Sequence, residues 1–310
     1  MKNKTIVILG AVFLLLVALY LTTSLNPPEK TKGAAPLFGG ERPDIDKIEL
    51  NSIRRGHIVL EKRNGLWYLT APFEYKAFDS DVESMVNELL DTLVDGVVSS
   101  RSETRDGYSV GDSTGTSVKV SSAGNLILDA IVGRQSRDIG HSYARRAGSN
   151  DVEMWRGMFS QEVIKEADAW RDKMLYSFNR DDIITIAAEE GKTTRMLALP
   201  DSLWVYTENG KGKPVDQGKV RNFVALLAEL KCDAFASDDD IPRAAEKAPD
   251  VTVTFTIRNG DRHSFDLWNA DDLFTKYLVR KTGGNILYRF YKYRGSQLGI
   301  NYEMLKPGQS

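Results

Sequence analysis

Asn64-Gly65-Leu66-Trp67-Tyr68-Leu69, a connector to Asp79 and a helical run ending at Leu93 form a pattern that returns as Asp201-Ser202-Leu203-Trp204-Val205-Tyr206, a connector to Asp216 and a helical run ending at Leu230. Trp67 and Trp204 lie 137 positions apart, and the pairs Asp79/Asp216 and Leu90/Leu227 keep that spacing. A Trp, an Asp and a helical stripe held at one offset point to a duplicated unit. Working outward, Asn64-Gly65 signals a tight hairpin because both residues tolerate positive φ. His57–Lys62 and Leu66–Leu69 are its strands, and Ala71-Pro72 ends the second, since proline cannot donate to a ladder.

The helix expected over 80–95 carries Val82, Met85, Val86, Leu89, Leu90 and Leu93 on one face. Ser80-Asp81-Val82-Glu83 fits a capping box and Asp79 is an alternative cap. Residues 99–115 read as a loop, followed by strands near 116–121, 126–132, 141–146 and 151–155 and a helical segment near 158–167. The second copy repeats the pattern. Ile183–Ile186 answers Ile45–Ile48, a helix is expected over 217–231, and strands over 251–257, 263–268, 276–281 and 286–291 follow. Strands, helix, strands in each half give an α+β fold of mainly antiparallel sheets, each packed by a helix. The alternating βα rhythm of a Rossmann or barrel enzyme is missing.

Ahead of this lies an uncharged run, Thr5 to Leu25, behind Lys2 and Lys4. Its most apolar part, Ile6–Leu21, spans about 24 Å as a helix, and Thr22–Leu25 extend it toward the thickness of a hydrocarbon core. Residues 1–25 therefore read as a transmembrane anchor. The lysines place the N-terminus in the cytoplasm and the rest of the chain in the periplasm or outside, at the cytoplasmic membrane. A cleaved signal peptide is the competing reading, although Thr22-Thr23-Ser24 matches a cleavage site poorly. Residues 26–43, rich in proline and glycine, read as a linker. The expected division is then anchor 1–25, linker 26–43, first unit 44–170 and second unit 171–310.

The formal charge of −2 over 310 residues gives no bulk attraction to nucleic acid. One cysteine, Cys232, rules out an internal disulfide and a multi-cysteine zinc site. No P-loop, dinucleotide fingerprint, H-E-x-x-H or G-x-S-x-G sequence occurs, so no catalytic, cofactor or metal residue is assigned. Asp238-Asp239-Asp240 lacks the spacing of a calcium loop. Trp67 and Trp204 are assigned to core packing, and Asp79 and Asp216 to helix capping. The densest polar and aromatic cluster is His141–Arg146, in which Arg145 and Arg146 face opposite sides of a strand. With the basic C-terminal meander it nominates Tyr143, Arg145, Arg280, Arg289, Lys292 and Arg294 as a partner or ligand surface.

Ile45-Asp46-Lys47-Ile48-Glu49-Leu50, Val59–Lys62 leading to Gly65–Pro72, and Trp170-Arg171-Asp172-Lys173-Met174-Leu175 then carry a resemblance. With the N-terminal anchor and the Trp204 repeat, the chain resembles the DUF4340 family of bacterial membrane-anchored proteins over most of residues 1–240. The resemblance implies no catalytic residues. It implies an accessory role beside ABC-type transporter components, including gliding-motility-like systems. The function expected is thus an extracytoplasmic binding or scaffold protein. An envelope hydrolase acting on glycan or peptide, or a sensor of anionic ligands, is the alternative.

Overall fold

The Asn64-Gly65 hairpin forms as its sequence dictates: both residues take positive φ, 51° and 80°, and Lys62 faces Trp67 across the ladder. Around it, the computed structural model describes Phe13 and residues 33–138, 140–237, 239–240, 247–269 and 275–308, and the chain divides into units Met1–Asp172 and Lys173–Ser310. The segment expected as an anchor lies outside the described residues except for Phe13. Among the described residues no helix is long and apolar enough to cross a membrane.

The first unit runs β1 (Ala35–Pro36), β2 (Lys47–Ser52), β3 (Gly56–Arg63), β4 (Leu66–Ala71), β5 (Tyr75–Lys76), α1 (Asp79–Asp91), β6 (Leu93–Ser99), β7 (Thr116–Ser122), β8 (Asn125–Gln135), β9 (His141–Arg146), β10 (Val152–Arg156) and α2 (Phe159–Glu162). Its ten strands form one sheet in the order β1-β6-β10-β9-β8-β7-β2-β3-β4-β5, with every pairing antiparallel. The stripe Val82, Met85, Val86 and Leu89 of α1 is buried in one cluster with Ile48, Leu60, Trp67 and Trp155, as its helical spacing requires.

Two expectations change here. The helix stops at Asp91 rather than 95, because Thr92 leaves helical geometry (ψ 130°) with its hydroxyl donating to the Glu88 carbonyl at 2.8 Å. The β-branched residues beyond it build β6. The expected linker is also partly structured: Ala35–Pro36 pairs with Leu93 and Val94, and buried Leu37 donates its N–H to the Thr92 carbonyl at 3.0 Å.

The second unit runs β11 (Met174–Ser177), β12 (Ile183–Glu190), β13 (Thr193–Ala198), β14 (Val205–Glu208), β15 (Lys211–Lys213), α3 (Gln217–Ala228), β16 (Glu229–Lys231), β17 (Ala234–Phe235), β18 (Val251–Ile257), β19 (Arg262–Asn269), β20 (Lys276–Lys281), β21 (Leu287–Tyr291), α4 (Lys292–Gly295) and α5 (Tyr302–Leu305). Its main sheet is ordered β15-β14-β13-β12-β18-β19-β20-β21-β17, while β11 and β16 pair separately. Read from the β5 end, the first unit is ordered β5-β4-β3-β2-β7-β8-β9-β10-β6 before β1 closes it. Strand for strand, the two orders correspond, and a helix follows the edge strand in each. The strict alternation of Val251–Ile257 appears as buried Val251, Val253 and Phe255 between less buried threonines, and Cys232 is buried.

Candidate functional site

The residues that announced the repeat are structural, and they divide their tasks differently in the two units. Trp67 is fully buried; its backbone N–H donates to Asp79 Oδ1 at 2.7 Å and its indole N–H to Glu83 Oε1 at 2.7 Å. Asp79 is therefore no cap. Phe78 stands at that position with no side-chain bond to the helix, and the expected capping box does not form because Glu83 is engaged by Trp67 and Lys62. In the second unit Asp216 does cap α3, accepting from the N–H groups of Gly218 and Lys219 at 2.8 and 3.0 Å. Gln217 takes over the strand contact, accepting from the Trp204 N–H and donating to the Trp204 carbonyl, both at 2.9 Å. By contact, then, Asp79 corresponds to Gln217 rather than to Asp216.

The six residues nominated as a surface fall in different units and different environments. Tyr143 meets Tyr108 edge to face with centroids 4.7 Å apart, and the Arg134 guanidinium lies 5.1 Å from its ring. Arg145 is only 3% exposed. It donates to the carbonyls of Val110 and Ser149, each at 3.0 Å, and to Asp112 Oδ1 at 2.5 Å. It is a buried clamp on the 110–112 loop, not a surface cation, while Arg146 on the opposite face pairs with Glu153 at 3.3 Å.

In the second unit Arg289 is engaged by Asp240 and Ser237, and Arg294 by Asp233 at 2.8 Å and by the Lys231 carbonyl. Burial opposes the charge on Asp240, but the Ser237 N–H and Arg289 outweigh it and hold the carboxyl below its ordinary value. One member of the acidic triplet is thus part of a structural pair. Arg280 lies 4.9 Å from the Trp268 ring, with Asp266 3.9 Å away. Lys292 is exposed. Three of the five nominated cations are consequently committed to internal contacts, which the composition of a strand cannot reveal.

An open cleft of about 700 Å³ does occupy the second unit, and sequence reading missed it. It gathers the β12–β15 edge, Asn269 at the end of β19, and Tyr302 of α5. Along the edge runs a charge ladder: Glu190 to Arg195 at 2.7 Å, Arg195 to Glu208 at 3.5 Å, and Glu208 to Lys213. The hydrogen bond from Lys213 holds the Glu208 carboxyl below its usual range against burial, and the same bond raises Lys213. Burial works against the charge on Arg195, but Glu190 and Glu208 outweigh it and raise its pKa. Every shift fixes the charged form, whereas a general acid or base is tuned toward neutrality. The Asn269 side-chain carbonyl oxygen is buried at this cleft without a hydrogen-bond donor among the described residues. The ladder was detectable in principle, since Glu190, Arg195, Glu208 and Lys213 flank two hairpin turns.

One carboxyl moves the other way. Burial raises Glu88, whose Oε1 accepts the Met158 N–H at the start of α2 at 2.6 Å. A folded-state pKa above the unfolded value of 4.5 means that its stabilisation is complete below 4.5 and is lost as pH rises through the folded value. Glu88→Gln keeps the acceptor and removes the titration. The variant is expected to gain stability relative to the native chain between pH 4 and 7 in parallel urea titrations; an equal difference at both pH values would contradict the assignment.

No group of three or more His, Cys, Asp or Glu placed to hold a metal occurs among the described residues. What the fold defines is a two-unit α+β protein of mainly antiparallel sheets. The family described as a domain of unknown function (DUF4340) matches residues 67–250, and the chain belongs to that family. No curated protein and no solved structure matches it.

Proposed function

We propose that this chain is a non-catalytic binding or scaffold protein, built by duplication of one α+β unit, and that it works at the outer face of the cytoplasmic membrane as an accessory to an ABC-type transport system. The observation that carries the binding role is the second-unit cleft. Its ladder of both charge signs suits a polypeptide partner of mixed charge, which exchanges ion pairs rather than undergoing proton transfer. The matching strand orders support duplication. The apolar run before residue 26 supports tethering, which raises the local concentration of both units near a membrane partner. The transport association comes from the family resemblance.

Reversing the ladder with Glu208→Lys tests the reading. The native full chain, cross-linked in membranes and then solubilised, is expected to recover a transporter component, and the variant to recover about tenfold less. Recovery of no transporter component, or equal recovery by both chains, would sink the proposal.

A further inference from the structure

A second hollow, of about 420 Å³, lies in the first unit between the β2–β3 turn, the loop after Tyr108 and the end of β8. Three arginines line it, Arg54, Arg55 and Arg134, against a single lining carboxylate, Asp106. Asp106 is itself engaged, accepting the Thr114 hydroxyl at 3.1 Å. Arg55 pairs with Glu166. Arg54 is exposed and has no acidic partner among the described residues. Arg134 has none either: its Nε and Nη1 donate to the carbonyls of Gly107 and Gln135 at 3.0 and 3.3 Å. Such contacts orient the guanidinium without neutralising it, and Nη2 has no acceptor among the described residues. The hydroxyls of Ser109 and Ser113 at the same hollow also lack protein partners among the described residues.

The hollow is built rather than incidental. Glycine lets the 108–109 loop lie directly on the strand at its base, because a Cβ on Gly133 would meet the Tyr108 carbonyl oxygen at 2.3 Å and one on Gly115 the Ser109 carbonyl oxygen at 2.7 Å. Ser109 accepts left-handed geometry, φ 57°, to turn the loop onto that strand. From behind, the buried Arg145 clamps Val110 and Asp112. Two of the arginines therefore keep charge that no carboxylate among the described residues neutralises, Arg134 resting against the rings of Tyr108 and Tyr143, beside spare hydroxyl donors. At the rim, Ile53 and Ile164 are 78% and 46% exposed.

We infer that this hollow binds a phosphate group, carried by a lipid headgroup or by a soluble organic phosphate. Guanidinium forks and hydroxyls together match the several oxygens of a phosphate, and guanidinium–phosphate bonds are the strong, charge-assisted kind. The isoleucine rim gives an apolar neighbour to whatever carries the phosphate. The site belongs to a different unit from the cleft assigned to a polypeptide partner, so each proposal stands or falls alone.

Calorimetric titration of the full chain in neutral detergent, at constant ionic strength, tests it with glycerol 3-phosphate and with dihexanoyl phosphatidylglycerol. Saturable binding of at least one probe is expected. Arg54→Ala and Arg134→Ala should each weaken it about tenfold or more, the loss of a hydrogen bond to a charged group, whereas Lys211→Ala, an exposed cation of the second unit, should leave it unchanged. Tighter binding of the lipid, lost in Ile53→Ser, identifies the headgroup; equal binding of both probes identifies a soluble phosphate. Absence of saturable binding by both probes, or undiminished binding by Arg54→Ala, whose exposed side chain has no hydrogen bond or ion pair among the described residues, would overturn the inference.

Discussion

Trp67→Ala is expected to destabilise the first unit by about 3–5 kcal/mol, the range for truncating a fully buried tryptophan. The indole fills the space between the β3–β4 hairpin and the stripe of α1, in one cluster with Leu60, Val82 and Met85. Its loss leaves a cavity and also releases Glu83, which the indole N–H and Lys62 hold together. Burial pushes the Glu83 carboxyl up, but the hydrogen bonds from Lys62 and Trp67 outweigh it and leave the group below its ordinary value. Stability from this depressed carboxyl is present above the unfolded pKa of 4.5 and lost as pH falls through the folded value. The difference between the native chain and the variant should therefore narrow in acid.

Trp204→Ala should cost less. Trp204 is 7% exposed, and its bonds to Gln217 use backbone atoms that alanine keeps. Hydrogen exchange of the full chain provides the measurement: protection of 66–71 and 79–91 should fall in Trp67→Ala while that of the second unit holds. A larger loss in Trp204→Ala would refute this ordering.

That asymmetry marks the boundary of what the sequence could disclose. Local periodicity located the stripe of α1, the alternation of Val251–Ile257 and the Asn64-Gly65 hairpin, because each depends on residues a few positions apart. The role of Asp79 depends on where the helix begins relative to a strand twelve residues earlier. The tryptophans keep an offset of 137, but α1 begins at Asp79 and α3 at Gln217, one residue further on. A single inserted position before α3 moves the strand contact from an aspartate to a glutamine and leaves the neighbouring Asp216 to cap. Short segments after a helix, such as β6 and β16, also stayed hidden, since their partners are far off in sequence. Of the candidate sites, the basic residues were legible but not their engagement. Alternation placed Arg145 and Arg146 on opposite faces, yet the acceptors that draw Arg145 inward include Val110 and Asp112, more than thirty positions away.

Those acceptors make Arg145→Ala the second large effect, expected at about 1–3 kcal/mol. Truncation strands the buried Val110 carbonyl, and a buried polar group left unpaired costs about 1–3 kcal/mol, whereas the Ser149 carbonyl keeps the Arg105 guanidinium at 3.2 Å. The Asp112 partner adds little, because its side chain is 83% exposed and water replaces the lost bond. Lysine cannot restore the arrangement, since one ammonium lacks the planar fork that reaches three acceptors at once. Arg145→Lys should thus recover only part of the loss. The distinguishing readout is local: exchange protection should fall in 108–115, and phosphate affinity of the neighbouring hollow should fall with it, although Arg145 does not line that hollow. Arg54→Ala should do the reverse, weakening phosphate binding with no loss of protection. If Arg145→Ala unfolded nothing in 108–115, the clamp would not be what holds the loop against its glycines, and the preorganisation of the hollow would need another source.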